Sequence, residues 1–312
     1  MKTTCRKSSR GTGLAIVKAV CVVAVLLRAS NTEAQELFAT DFDNGNVYQF
    51  TPTGTQNTFA SGLAHPTALT FDAFGNLFVA DSGSGTIFTF TQGGVKTTFA
   101  SGLSNPQGLA FDRNGNLYES DWNSGIIYRF SPLGVKSTFV SGMVAPSGLA
   151  FDSHGNLFVE EQNGGMAGGN DIKEITPAGM SSVFAGTLGS GLAFNSAGDL
   201  FEAEWSTGSL NEFTPDGDKS VFASGLRFPW GVAMDANDEL YVSDLATWQI
   251  YRFSQDGKHS IFASGTGYGF DGLAIKPVPE PSVLGLLGLF SVALLALRTR
   301  TAFRRGQESR SA

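Results

Sequence analysis

"LFVADSGSGTIFTFTQGGVKTTFASGLSNPQGLAFDRNGN" runs from Leu77 to Asn116, and the same design recurs on both sides of it. Copies begin at Leu37, Leu77, Leu117, Leu157, Leu200 and Leu240, at spacings of 40, 40, 40, 43 and 40 residues. In the quoted copy "LFVAD", "GTIFTF", "KTTFA" and "GLAFD" are rich in β-branched and aromatic residues and read as four short strands. Turn formers separate them: Asp-x-x-Gly-Asn follows "GLAF", and Thr-x-Gly-Gly or Thr-Pro-x-Gly follows the "GTIFTF" strand. The glycines supply the positive φ that such turns need. A four-stranded unit of this length, repeated six times, predicts an all-β, six-bladed β-propeller of antiparallel blades.

The chain ends support a closed ring over a flat solenoid. No "GLAFD" run precedes Leu37, yet one such run, "DGLAIK" (Asp271 to Lys276), stands alone after the sixth copy. Placed beside "LFATD", residues 272–276 become the innermost strand of the first blade, and two exposed sheet edges pair with each other. The propeller is then one domain over residues 35–277.

On "NPQGLAFDRNGNLYESD" (Asn105 to Asp121) and its five counterparts, the chain resembles the NHL-repeat propellers. More loosely it is similar to the SMP-30/gluconolactonase-like and streptogramin-lyase groups. The resemblance covers Leu37 to Lys276. It implies the fold and leaves function open, because propellers host many activities.

Naming "GLAF" strand a and the next three strands b, c and d puts the b–c and d–a loops on one rim. In related propellers that rim usually carries the site. All four tryptophans map there: Trp122, Trp205 and Trp248 in or beside b–c loops, and Trp230 in a d–a loop. As amphipathic rings they suit a ligand-binding surface, a glycan above all; alternatively each packs over a neighbouring blade. Strand b ends in an acid in every copy: Asp41, Asp81, Asp121, Glu161, Glu204 and Asp244. Recurrence in all six blades suits a structural role, hydrogen-bonding turn amides, although Glu161 and Glu204 also belong to the candidate rim. The fourth copy lengthens its b–c loop by five residues, "EEQNGGMAGGND", a recognition loop or a tolerated insertion.

Catalytic chemistry finds fewer residues. Both cysteines, Cys5 and Cys21, precede the repeats, and no G-x-S-x-G elbow is present. A gluconolactonase-like reaction would need a divalent cation, calcium or magnesium, near the channel mouth. The one polar slot of strand a, just before its glycine, holds Thr67, Gln107, Ser147, Ser190, Trp230 and Asp271. Asp271, with Asn105 and His65 from the preceding loops, is therefore the alternative metal or catalytic set. A streptogramin-lyase-like mechanism would take His65 as its base. "DFDNGN" (Asp41 to Asn46) resembles the start of a calcium loop but lacks the distal glutamate.

Charge is divided along the chain. Residues 35–279 carry 25 Asp/Glu against 10 Lys/Arg, a net −15, which disfavours nucleic acid as a partner. Most remaining basic residues flank the two terminal apolar runs. Lys2, Arg6, Lys7 and Arg10 precede "LAIVKAVCVVAVLL", and "RASNTEA" follows, the order of a secretory signal over residues 1–34 with signal peptidase as its partner. At the other end, Val278, Pro279, Glu280, Pro281 and Ser282 precede an apolar run and an arginine cluster. That order closely resembles the PEP-CTERM sorting signal. The uninterrupted apolar part, Val283 to Leu297 within a segment at about 282–297, would rise roughly 22 Å as a helix, short of a roughly 30 Å hydrocarbon core. The resemblance implies a sorting signal at 278–305, a cytoplasmic tail at 306–312 and transient retention at the inner membrane. Cleavage by an exosortase-type enzyme would follow, with delivery to the cell surface or exopolysaccharide matrix. The expectation from sequence is thus an exported binding or scaffold module for a glycan or protein.

Overall fold

The computed structural model describes residues 35–162, 170–265 and 269–277. These form six four-stranded antiparallel sheets, each running a, b, c, d from the axis outward. The inner strands are Leu273–Ile275 for the first blade, then Pro66–Phe71, Pro106–Phe111, Pro146–Phe151, Gly189–Phe194 and Pro229–Met234. Each packs against the next around the circle, and the last packs against the first. The fold is the expected six-bladed propeller.

Closure follows the predicted register. Leu37, Phe38 and Ala39 lie opposite Ile275, Ala274 and Leu273, so the first blade takes strand a from one end of the repeat array and strands b to d from the other. The closing strand is three residues long, shorter than the five expected. Its flanks extend the pairing: Thr40 N donates to Gly272 O (3.1 Å), Asp271 N to Thr40 O (3.0 Å) and Lys276 N to Glu36 O (2.9 Å). Lys276 Nζ also reaches Glu36 Oε2 at 2.7 Å.

Alternation along strand b builds the core. Leu37 and Ala39 face the sixth blade and pack with Phe50 of their own sheet and with Ile250 and Phe270. Phe38 faces the second blade and packs with Leu69, Val79 and Phe90. Its ring sits edge-to-face between Phe59 of strand d and Phe71 of the next inner strand, 5.1 and 5.0 Å away. The same triplet recurs at Phe78, Tyr118 and Phe158, so the phenylalanine repeated in strand d seals the outer part of each seam.

The a–b turns explain the Asp-x-x-Gly-Asn signature. Asp72 Oδ1 accepts from Phe74 N and Asn76 N, and Asp72 Oδ2 accepts from Asn76 Nδ2. Gly75, at φ +77°, lets the chain reverse.

A second class of glycine sets how close the blades can come. A Cβ on Gly108, Gly148, Gly191, Gly231 or Gly272 would lie 2.1–2.5 Å from a backbone oxygen of the neighbouring inner strand. Buried hydroxyls bridge three of these contacts. Ser120 Oγ accepts from Gly108 N and donates to Ser147 O. Thr40 Oγ1 accepts from Gly272 N and donates to Thr67 O, and Ser243 Oγ links Gly231 N to Asp271 O. Since the clash is with backbone, Gly231→Ala has no flexible neighbour to displace. It is expected to cost about 3 kcal/mol or more by urea denaturation, whereas alanine at exposed Ser61 should change stability by less than about 0.5 kcal/mol.

Candidate functional site

The six inner strands enclose a cavity of about 310 Å³. Its walls carry the expected polar slot: Thr67, Gln107, Ser147, Ser190, Trp230 and Asp271 all line it, with the glycines and leucines that follow them. Phe42, from the b–c loop of the first blade, also contributes. The cavity is a cup of hydroxyls and one amide, with one carboxyl and two aromatic rings.

Asp271 is the lone carboxylate in that lining. Its Oδ2 accepts from Phe42 N at 3.0 Å. Burial raises the carboxyl from 3.8 to about 7; the Phe42 hydrogen bond opposes this, and the nearby Asp43 and Asp41 charges add to it. His65 sits on the other side of Phe42: its ring stacks on the Phe42 ring at 4.5 Å, and its Nδ1 bonds the Phe42 carbonyl at 3.2 Å. It is not part of the cavity lining. The sequence-based pair His65–Asp271 thus meets through Phe42 and does not converge on one point in the cup. Asn105 is not in the lining either; its Oδ1 accepts from Gln107 Nε2 at 2.8 Å. Among the described residues, no group of three or more His, Cys, Asp or Glu side chains is placed to hold a metal ion. Asp271 is thus joined by no such group of carboxylates and imidazoles among the described residues.

The acids ending strand b behave as structural clamps and reach farther than their own turns. Asp81 accepts from Ala64 N and His65 N, and Asp244 from Arg227 N and Phe228 N. Asp121 and Glu161 take Ser104 N and Val144 N. Each ties a d–a loop to the b–c turn beside it, which places both loop sets on one rim. Asp41 instead bonds Asn44 N, Asn44 Nδ2 and the Tyr48 hydroxyl, a closed turn in place of a calcium loop. Glu204 departs too. Burial would raise its carboxyl, but bonds from Asn211 and Lys219 outweigh that and hold it below the usual range.

The tryptophans divide. Trp205 and Trp230 flank Phe228, which stacks on Trp230 at 5.8 Å and 8° and meets Trp205 at 5.7 Å. The three rings form a row from the b–c loop of the fifth blade to the cavity wall. Phe228 was not singled out from sequence, because phenylalanine is too common in this chain to stand out. Trp122 is half-buried in the third blade, outside this row. Trp248 is 44% exposed on the sixth blade and has φ +57°. It occupies the turn position that Gly45, Gly85, Gly125 and Gly208 fill elsewhere, each with positive φ. The lengthened loop of the fourth blade falls largely on residues 163–169, outside the described residues. The same is true of the proposed signal at 1–34 and the sorting segment with Pro279, Glu280 and Pro281.

No protein-family model matches this chain, and no curated protein does. Solved structures do. A chain of a nidogen/laminin complex matches 79% of this chain and 99% of its own length, with a TM-score of 0.70 and 21% identity. A streptogramin B lyase matches over 75% and 81% of the two chains, at TM-score 0.60 and 17% identity. A protein of unknown function from Bacteroides caccae matches over 79% and 100%, at 0.60 and 13%. At these identities the likeness is one of fold.

Burial of Asp271 has a direct thermodynamic consequence. Because its folded pKa lies above the unfolded value, folding takes up a proton between about pH 4 and 7, and stability falls as pH rises through that window. Asp271→Asn keeps an acceptor for Phe42 N and removes the titration. It should lower the slope of the urea-midpoint profile across that range by the share of one proton and stabilise the protein at pH 8 by up to roughly 4 kcal/mol.

Proposed function

We propose that this propeller is a binding module that takes a saccharide on the aromatic row, with one sugar unit entering the cup. The observation that carries the reading is Trp230. It stacks on Phe228 and also lines the cavity, so the aromatic row continues into a pocket of hydroxyl, amide and carboxyl groups. Sugar rings present that combination: an apolar C–H face for stacking, and hydroxyls that exchange hydrogen bonds with Ser147, Ser190, Thr67 and Gln107. Similar propellers stand in a nidogen/laminin complex and in a streptogramin B lyase, so the fold suits both binding and catalysis. A protein ligand is the alternative occupant of the rim.

The address belongs to the same proposal. The ring closes at Ile275, ahead of the apolar run and arginines that follow Pro279 in the sequence. Among the described residues no helix is long and apolar enough to cross a membrane, and both terminal runs lie outside them. A signal peptide, an exosortase-type cleavage and a place at the surface or in the exopolysaccharide matrix fit an acidic ring that binds glycan. Intact tail on mature surface protein, seen by mass spectrometry, would refute the processing.

One observation supports a second reading. Asp271 is a carboxyl poised to exchange a proton near neutrality inside the cup, which a lyase or lactonase-type reaction could use. Loss of turnover in Asp271→Asn, on a substrate that wild type converts, would favour it.

Binding is tested by titrating a glycan array, then the best neutral oligosaccharide, against single variants. Trp230→Ala and Phe228→Ala should each weaken it at least about tenfold. Equal affinity in both variants would end the proposal.

Trp248 gives an independent check, because a non-glycine residue in the left-handed region costs about 1 kcal/mol. Trp248→Gly should raise stability by about that amount. If the exposed ring contacts ligand, the same change should lower affinity, a stability gain coupled to a binding loss.

A further inference from the structure

The seam between the fourth and fifth blades breaks the pattern of the other five. Its lower half is apolar, built from Phe158, Ile172, Leu192 and Phe213. Its upper half holds two glutamates. Glu160 stands on strand b of the fourth blade, at the position of Thr40, Ser120 and Ser243, whose hydroxyls bridge neighbouring inner strands. Glu202 stands on strand b of the fifth blade, where the first, second, fourth and sixth blades have Ala39, Val79, Val159 and Val242. By strand alternation the two side chains face each other across the seam, and both residues are fully buried.

The surroundings accommodate this pair. The d–a loop before the fifth inner strand is two residues shorter than those before the second, third, fourth and sixth, and Gly189 replaces the proline that opens these strands. A Cβ at Gly189 would lie 2.0 Å from Glu202 Oε1, so the missing side chain is the space Glu202 fills. Thr187 Oγ1 lies 2.6 and 2.8 Å from the two Glu202 oxygens, and Asn211 Nδ2 donates to Oε2 at 2.8 Å. Glu160, beside Gly148, has no other donor: neither of its oxygens has a conventional donor within reach. The carboxyl it can bond is Glu202.

Two ionised carboxylates cannot share such a site, because each would lose its hydration and face a like charge. One proton resolves both problems. A neutral Glu160 donates its O–H to Glu202, and Glu202 remains an anion held by Thr187, Asn211 and that O–H. We propose that Glu160 and Glu202 share a single proton across this seam, and that the shared proton keeps the fourth and fifth blades closed on each other.

The charged groups nearby agree. Burial, the Glu202 charge, the bond to Glu202 and the Glu204 charge all push Glu160 well above the carboxylate range; Lys219 alone opposes them. Burial also raises Glu202, against the Asn211 and Thr187 hydrogen bonds. Glu161, Lys173 and Asp171 form a separate ion-paired set. Lys173 lies opposite Val159, which packs toward the third blade, so that set is on the other face of the sheet. Glu119, in the third blade, is the useful contrast: it is equally buried and raised to about 9, but the position across its seam is Ala80, and no second carboxyl answers it.

Urea denaturation of the full chain between pH 5 and pH 9 tests the proposal, comparing wild type with Glu160→Gln. Glutamine donates at every pH and carries no proton to lose. Folding of wild type takes up a proton at Glu160 that the variant does not, so stability lost with rising pH should be smaller in the variant. Over the window in which the proton is held, the wild-type unfolding constant should rise about tenfold more per pH unit. The infrared band of protonated carboxylic acid at pH 7 should also lose one component in the variant. Glu119→Gln should change the first slope too, but leave the Glu160 difference intact. Equal slopes in wild type and Glu160→Gln, or an unchanged band, would overturn the proposal. Should Glu160→Gln not fold, Glu160→Ser supplies the hydroxyl used at Thr40, Ser120 and Ser243; it is expected to fold with the reduced slope. Failure of both variants to fold would also overturn it, since the carboxyl would then be needed whatever its proton.

Discussion

The close approach of the inner strands governs this molecule. A side chain at the glycine of strand a would strike the backbone of the next blade, so five of the six blades carry glycine there and the second carries Ala68. With that position spent on packing, each inner strand has one residue left to direct at the axis before its buried leucine or valine. The cup is therefore lined by one variable residue per blade. Its chemistry is the sum of six choices: two serines, a threonine, a glutamine, a tryptophan and an aspartate. The fold permits few convergent groups, which is why the catalytic vocabulary of the site is small while its hydrogen-bonding vocabulary is ample.

Ring closure and the strand-b acids then fix what that geometry presents. Closure through Leu273–Ile275 lays the start of the repeat array against its end and brings Asp271 beside Phe42, over two hundred residues apart in sequence. Four of the acids, Asp81, Asp121, Glu161 and Asp244, fasten d–a loops to b–c turns, so loops from separate parts of the repeat become one rim. A carboxylate accepting backbone amides is a strong hydrogen bond with little freedom. The rim's aromatic side chains accordingly stand on a constrained base, as a stacking platform requires.

Much of this was legible in the sequence because repetition multiplies a weak signal. One "GLAFD" run could be a strand or part of a buried helix; six at nearly constant spacing, with glycine turns between, admit one architecture. The lone "DGLAIK" gave the closure by arithmetic, and strand order gave the rim and the polar slot. What the sequence did not yield depends on which side chains meet across a seam. His65 and Asp271 share a rim and a blade boundary, yet Phe42 lies between them, and no spacing rule reports an intervening ring. Phe228 hid among 26 phenylalanines. Glu160 and Glu202 looked like ordinary strand acids, since their confrontation depends on alternation in two blades and on the glycine at 189.

Most departures from the repeat fall together, the buried Glu119 of the third blade and Ala68 of the second being exceptions. Blades one to three keep the turn glycines, the standard loop lengths and an aromatic at the middle of strand c, as in Tyr48, Phe88 and Tyr128. The fourth blade lengthens its b–c loop and puts Lys173 at that middle position; the fifth puts Asn211 there and shortens its d–a loop; the sixth puts Trp248 in a glycine turn. The row of Trp205, Phe228 and Trp230 and the two facing glutamates fall in the same three blades. Each departure costs stability: a strained turn, a buried charge, an apolar contact forgone. A ring of six equal blades would be more stable without them. These costs fall mainly on one side of the axis, and under the proposed function that asymmetry is what a ligand bound off the axis would ask of a symmetric scaffold.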